Sequence, residues 1–148
     1  MKHAAFVFAL LLMSGCAQTP SAPATKTPAA KDALYRDLGA MEGITKVVDL
    51  FFQRLNNDAR INTLFSNVDH NDLRRLVIEQ LCAASGGPCT YTGRSMEESH
   101  SGLSLTNKDF DAFVDDLVEA MNQAKVAKPT QKKLLAILGP MRPQVVGQ

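Results

Sequence analysis

The chain has 148 residues and a formal net charge of +1, with 16 Lys and Arg against 15 Asp and Glu. That balance leaves no electrostatic footprint for nucleic acid or an acidic polymer. Hydrophobic residues make up 45%, enough for one modest core in a single domain.

Residues 1–16, MKHAAFVFALLLMSGC, pass from a basic start at Lys2 through an apolar run, Ala4 to Met13, to Ser14-Gly15-Cys16. This is the layout of a secretory signal, too short to span a bilayer as a mature helix. A cysteine directly after Ser-Gly resembles a bacterial lipobox, in which the chain is cut before Cys16 and the new N-terminus carries lipid. The alternative is an ordinary signal peptide that happens to hold a cysteine. The expectation is an exported lipoprotein, anchored in a membrane and facing the periplasm. Ala17, where no Asp follows the cysteine, points to the outer membrane if the cell is Gram-negative. Residues 17–31, AQTPSAPATKTPAAK, have almost nothing large to bury and read as a disordered tether. The expected division is 1–15 signal peptide, 16–31 lipidated cysteine and tether, and 32–148 folded domain.

From Gly43 the apolar spacing is helical: Ile44, Val47, Val48, Phe51 and Leu55 fall on one face, widened by Phe52. Asn56-Asn57-Asp58 ends this helix, and a short turn carries Ile61, Leu64 and Phe65. Asp69 or Asn71 is placed to cap the next helix, in which Leu73, Leu76, Val77, Leu81 and Ala84 form the expected buried stripe. Gly86-Gly87-Pro88 stops it. Thr106, with Asp109 three residues on, caps a helix carrying Phe110, Phe113, Val114, Leu117, Val118 and Met121. Pro129 suits the first turn of a last helix with Leu134, Ile137, Leu138, Met141 and Val145. Pro140 and Pro143 should bend or fray its end. No alternating strand and no repeat is found, so the fold class is all-α.

With Cys16 set aside, Cys82 and Cys89 form an even pair in an exported chain, which suggests a disulfide; two buried thiols are the alternative. The intervening Gly-Gly-Pro lets the chain reverse. A loop this short would contribute about 2–3 kcal/mol on the chain-entropy model. Between Pro88 and Leu105 runs a long polar stretch with at most one short helix, around Ser95–Ser101. A connection this long in a compact domain is usually functional, and it holds His100. A neutral imidazole is a good iron ligand, and one histidine suffices to hold haem from the proximal side.

From about Leu34 to Val146 the residues resemble a known family, the group 1 truncated haemoglobins, or two-over-two helical globins. The likeness is carried by Leu38-Gly39 with Gly43, by VVDLFFQRLNND through Leu64-Phe65, and by Gly86-Gly87-Pro88. It continues in YTGRSMEESH, with Tyr91, Met96 and His100, and in Gly139-Pro140. The resemblance implies haem b as cofactor, with His100 as the proximal iron ligand and its other ring nitrogen donating to a backbone carbonyl. It implies Phe65 wedged against the haem face, Met96 and Tyr91 near its edge, and Tyr91, Arg74 or Arg75 as propionate partners.

On the distal side members of this family often place a tyrosine on the first long helix and a glutamine on the next. Here the matching positions are Phe52, Leu73 and Val77, none of which donates a hydrogen bond. Gln80, on the same stripe as Leu73, is a candidate polar residue for the pocket, and His70 a candidate sixth iron ligand. The function expected is reversible binding of oxygen, nitric oxide or carbon monoxide, with an unidentified reductase serving the iron. The alternative is a haem enzyme for nitric oxide detoxification or peroxidase-like chemistry.

Overall fold

The computed structural model describes residues 31–148, so the expectations for the signal, Cys16 and the tether up to residue 30 lie outside the described residues. Six α-helices follow in order: α1 (Ala33–Asp37), α2 (Ala40–Leu55), α3 (His70–Ala84), α4 (Met96–His100), α5 (Asn107–Gln123) and α6 (Lys128–Leu138). Short 3-10 turns occupy Asn62–Phe65 and Gly139–Gln144. Among the described residues no strand occurs.

The centre is α2. Its stripe of Ile44, Val47, Val48, Phe51, Phe52 and Leu55 is buried as the spacing predicts. It packs on α5 through Ala112, Leu117, Ala120 and Met121, and on α3 through Leu81 and Cys82. The Phe51 and Phe113 rings meet at 4.7 Å between centroids, edge to face. Burying a side chain such as Phe51 contributes about 2–3 kcal/mol. The step from α1 into α2 is tight. A Cβ on Gly43 would stand 2.0 Å from the Leu38 carbonyl oxygen, so only glycine lets the two helices approach this closely.

The helix starts follow the capping chemistry of the sequence. Asp69, not Asn71, caps α3, its Oδ1 accepting from the Asn71 and Asp72 amides at 2.9 and 3.1 Å. At α5 the Thr106 hydroxyl accepts from the Asp109 amide while the Asp109 carboxylate accepts from Thr106, a reciprocal capping box. At the other end of α3 the chain turns through Gly86 at φ +86°, where a Cβ would lie 1.9 Å from the Lys31 carbonyl.

Two expectations need correction. In α3 only Leu81 of the expected stripe is buried; Leu73, Leu76, Val77 and Ala84 stay partly exposed. The reason is that α3 packs chiefly on α2, so part of its apolar face has no helix across from it. The prolines act on the last helix as expected: it stops at Leu138, and Gly139–Gln144 tightens into a 3-10 turn that holds both Pro140 and Pro143. Of its expected stripe only Leu134 is buried, alongside Thr130 and Gln131. Gln131 is satisfied there by donating to the Val126 carbonyl and the Asn122 side chain.

Candidate functional site

His100 ends α4, a helix of five residues whose position depends on its ends. Ser95 begins it with a second capping box, in which Glu98 accepts from the Ser95 amide at 3.0 Å and from its hydroxyl at 2.9 Å. Those bonds, the backbone one foremost, hold the Glu98 carboxyl below its usual range. The segment leading into α4 is fastened to α3 at two places. The first is the Cys82–Cys89 disulfide, with Cα atoms 5.8 Å apart. The second is a polar knot around Thr92. Glu79 accepts from the Thr92 amide at 3.0 Å and its hydroxyl at 2.7 Å, and Arg75 donates to both Glu79 and Thr92. Glu79 is held ionised mainly by the Thr92 bonds.

The His100 ring is oriented by its own helix. Nδ1 lies 2.6 Å from the Met96 carbonyl oxygen, a geometry that requires Nδ1 to carry the proton. Nε2 then presents a lone pair, and no hydrogen bond engages it among the described residues. The Ser99 hydroxyl stands 3.1 Å from Nδ1 and also reaches the Met96 carbonyl at 3.2 Å.

Across from α4, the other nominated residues divide. Phe52 is buried, with its ring edge-on to Phe51 and to His70 at 5.8 and 6.2 Å. Phe65, Leu73 and Val77 are half-buried and pack against the core. His70 is tied down, its Nε2 lying 3.1 Å from the Phe65 carbonyl, where that bond needs the proton on Nε2. The His70 ring therefore stands among Phe52 and Phe65 without a free nitrogen on that side. Gln80 turns toward the wall that carries His100, its amide 3.3 Å from the Met96 sulfur and 3.7 Å from that of Met141.

The residues nominated for propionates have protein partners here. Arg74 pairs with Asp49, and Arg75 with Asp72 and Glu79. The Tyr91 hydroxyl donates to the Arg94 carbonyl at 3.0 Å, and burial raises its pKa. Sequence reasoning missed Glu79 and Thr92, which are brought together across 13 residues by the fold alone. It also missed Met141, which reaches Gln80 from the C-terminal turn. The pairing of Asp72, Arg75 and Glu79 at three- and four-residue spacing was the one part of that knot visible on a helix.

A family model described as bacterial-like globin matches residues 33–146. The chain belongs to this family. The group 1 truncated hemoglobin GlbN of Synechocystis is 32% identical over 110 residues, covering 72% of this chain and 89% of that protein. GlbN of Mycolicibacterium paratuberculosis is 29% identical over 113 residues, covering 76% and 83%. Among solved structures, the truncated hemoglobin of Tetrahymena pyriformis in its Fe(III) form superposes with a TM-score of 0.76 at 26% identity. That match covers 78% of this chain and 98% of that one. The 2/2 hemoglobin of Synechococcus gives a TM-score of 0.72 at 26% identity. The chain is thus a group 1 truncated haemoglobin with the two-over-two helical fold, and haem iron is its cofactor.

The residues of this globin fit that cofactor. Among the described residues no cluster of three or more His, Cys, Asp or Glu forms a cage for a bare metal ion. A metal that brings four ligands of its own needs only one more from the protein, and His100 offers one lone pair that no protein donor engages among the described residues. The partly exposed apolar face of α3 and the Phe65 ring suit a flat apolar macrocycle.

Proposed function

We propose that this globin is an exported, lipid-anchored b-type haem protein that reversibly binds diatomic gases at iron held by His100. Haem, when bound, supplies the iron position at which a small gas coordinates. His100 supplies the proximal nitrogen, and the observation that carries this reading is its Nδ1 bond to the Met96 carbonyl, which fixes the tautomer and the ring orientation. Phe65 would pack against the haem face, with Met96 and Tyr91 near its edge. Haem would draw Arg74 or Arg75 from their present carboxylate partners toward its propionates, since these pairs are solvent-exposed and cheap to exchange.

Phe52, Leu73 and Val77 make the gas-binding side apolar. A neutral diatomic would enter such a pocket without desolvating a polar group, but Phe52, Leu73 and Val77 would offer no hydrogen-bond donor to a ligand that gains negative charge. Oxygen, nitric oxide and carbon monoxide are the ligands of this reading, with nitric oxide and carbon monoxide depending less on a donor. An unidentified reductase would supply the electrons that keep the iron ferrous. Nitric oxide detoxification is open to such a site, whereas peroxidase-like chemistry calls for a distal acid–base group. That alternative is disfavoured because His70 is engaged by the Phe65 carbonyl and Gln80 turns toward Met96.

The anchor rests on residues 1–16, with Cys16 as the lipidated residue and the periplasm as the compartment. Among the described residues no helix is long and apolar enough to cross a membrane. Two experiments test the reading. Titration with haemin followed by reduction should give a Soret band in the wild type and a lost or shifted one in His100→Ala; identical spectra would remove His100 from the iron. Fractionation of cells expressing Cys16→Ser should move the protein from membrane to soluble fraction, and unchanged membrane retention would defeat the anchor.

A further inference from the structure

Gln80 was a candidate for the gas-binding side, yet its amide points elsewhere. The Nε2 atom sits between two thioethers, Met96 at 3.3 Å and Met141 at 3.7 Å. Sulfur is a weak acceptor, so burial alone would favour leucine or methionine at this place. What the amide adds is direction. It joins three separate pieces of chain: α3, the first residue of α4, and the C-terminal 3-10 turn.

The consequence runs through Met96. Its side chain has three rotatable bonds and adopts many shapes unless something selects one. Its carbonyl receives His100 Nδ1 at 2.6 Å, and the Ser99 hydroxyl reaches the same oxygen at 3.2 Å. The Ser99 hydroxyl has a closer acceptor in the Ser95 carbonyl at 2.8 Å, so in a helix of five residues a freed first residue loosens chiefly the His100 bond. We propose that Gln80 is a positioning residue for the proximal histidine, acting through Met96 to keep the Met96 carbonyl on His100 Nδ1. This rests on the reading of His100 as the iron ligand.

A firm Nδ1 bond makes the imidazole a stronger donor to iron and favours the ferric state. Gln80→Met, of similar length but without a donor, should lower the iron–histidine stretching frequency of the ferrous protein and raise its midpoint potential. Met96→Leu removes the sulfur but keeps the backbone carbonyl, and should give the same two shifts. The double variant should match either single one, because both remove one link. Hydrogen exchange on the full chain, with and without haem, should show about fivefold faster exchange at residues 97–100 in each variant and no change in α5. Unchanged frequency, potential and exchange in Gln80→Met, or shifts that add in the double variant, would overturn the proposal. A wild type that takes up no haem would instead overturn the reading of His100, and the exchange measurement alone would then decide the role of Gln80.

Discussion

Replacing Asp116 by asparagine should stabilise the protein at neutral pH. Asp116 lies on α5 at 1% exposure. Its Oδ1 accepts from Arg54 Nε at 3.2 Å, but Oδ2 is buried with no donor among the described residues. Burial foremost, and then the negative charge of Asp58, push its pKa above the ordinary value of 3.8, while Arg54 pulls it back. A buried acceptor left unsatisfied costs about 1–3 kcal/mol. The Arg54 side chain is about one-third exposed, so the pair lost on substitution returns no more than about 1 kcal/mol. The net gain expected for Asp116→Asn is about 1 kcal/mol at pH 7, or roughly 4 °C in Tm for a domain of this size. The gain shrinks toward acid. Because the folded pKa is raised, the native state binds more protons than the unfolded state above pH 3.8. The contribution of Asp116 is therefore present in full below that pH and is lost as pH rises through the folded value. Other carboxylates titrate in the same range, so the quantity to measure is the difference between variant and wild type in denaturant unfolding from pH 3.5 to 8. It should grow with pH and then level off. A difference that is flat with pH, or a variant less stable than wild type at pH 7, would refute the view of Asp116 as a desolvated acid.

Three further outcomes are expected. On the proposal that Phe52 lines the gas-binding side, Phe52→Tyr adds a hydroxyl there and should slow oxygen dissociation about ten- to a hundredfold, the equivalent of one hydrogen bond to a partly charged ligand; a stopped-flow rate equal to wild type would place Phe52 away from the gas. Cys82→Ser with Cys89→Ser should lower stability by about 2–3 kcal/mol in denaturant unfolding, and a dithiol reductant should do the same to the wild type but nothing to the variant. Gly43→Ala should cost more than the usual benefit of alanine in a helix, because its Cβ would lie 2.0 Å from the Leu38 carbonyl; a Tm at or above wild type would show that α1 can move aside.

Much of this globin was legible from one dimension because the signals are local. The apolar repeat of α2, the caps at Asp69 and Thr106, and the Gly-Gly-Pro break each act within a few residues, where backbone geometry follows side-chain chemistry directly. The order of glycines, Phe65, Tyr91, Met96 and His100 was likewise enough to carry the resemblance to a haem-binding family. The sequence also determined that no hydrogen-bond donor occupies positions 52, 73 and 77, since side-chain chemistry needs no fold to be read.

Direction was decided only in three dimensions. Gln80 shares a helical stripe with Leu73, yet a rotation along α3 and the approach of Met141 from a segment 61 residues away turn its amide to the histidine side. His70 could be placed before α3 by sequence, but its attachment to the Phe65 carbonyl depends on the turn between α2 and α3 folding back. Glu79 and Thr92, like Arg54 and Asp116, meet only because helices cross. Periodicity states which residues share a face. What that face meets is set by packing among elements distant in the chain, and that packing holds His100 Nδ1 on the Met96 carbonyl and leaves Nε2 without a hydrogen-bond partner among the described residues.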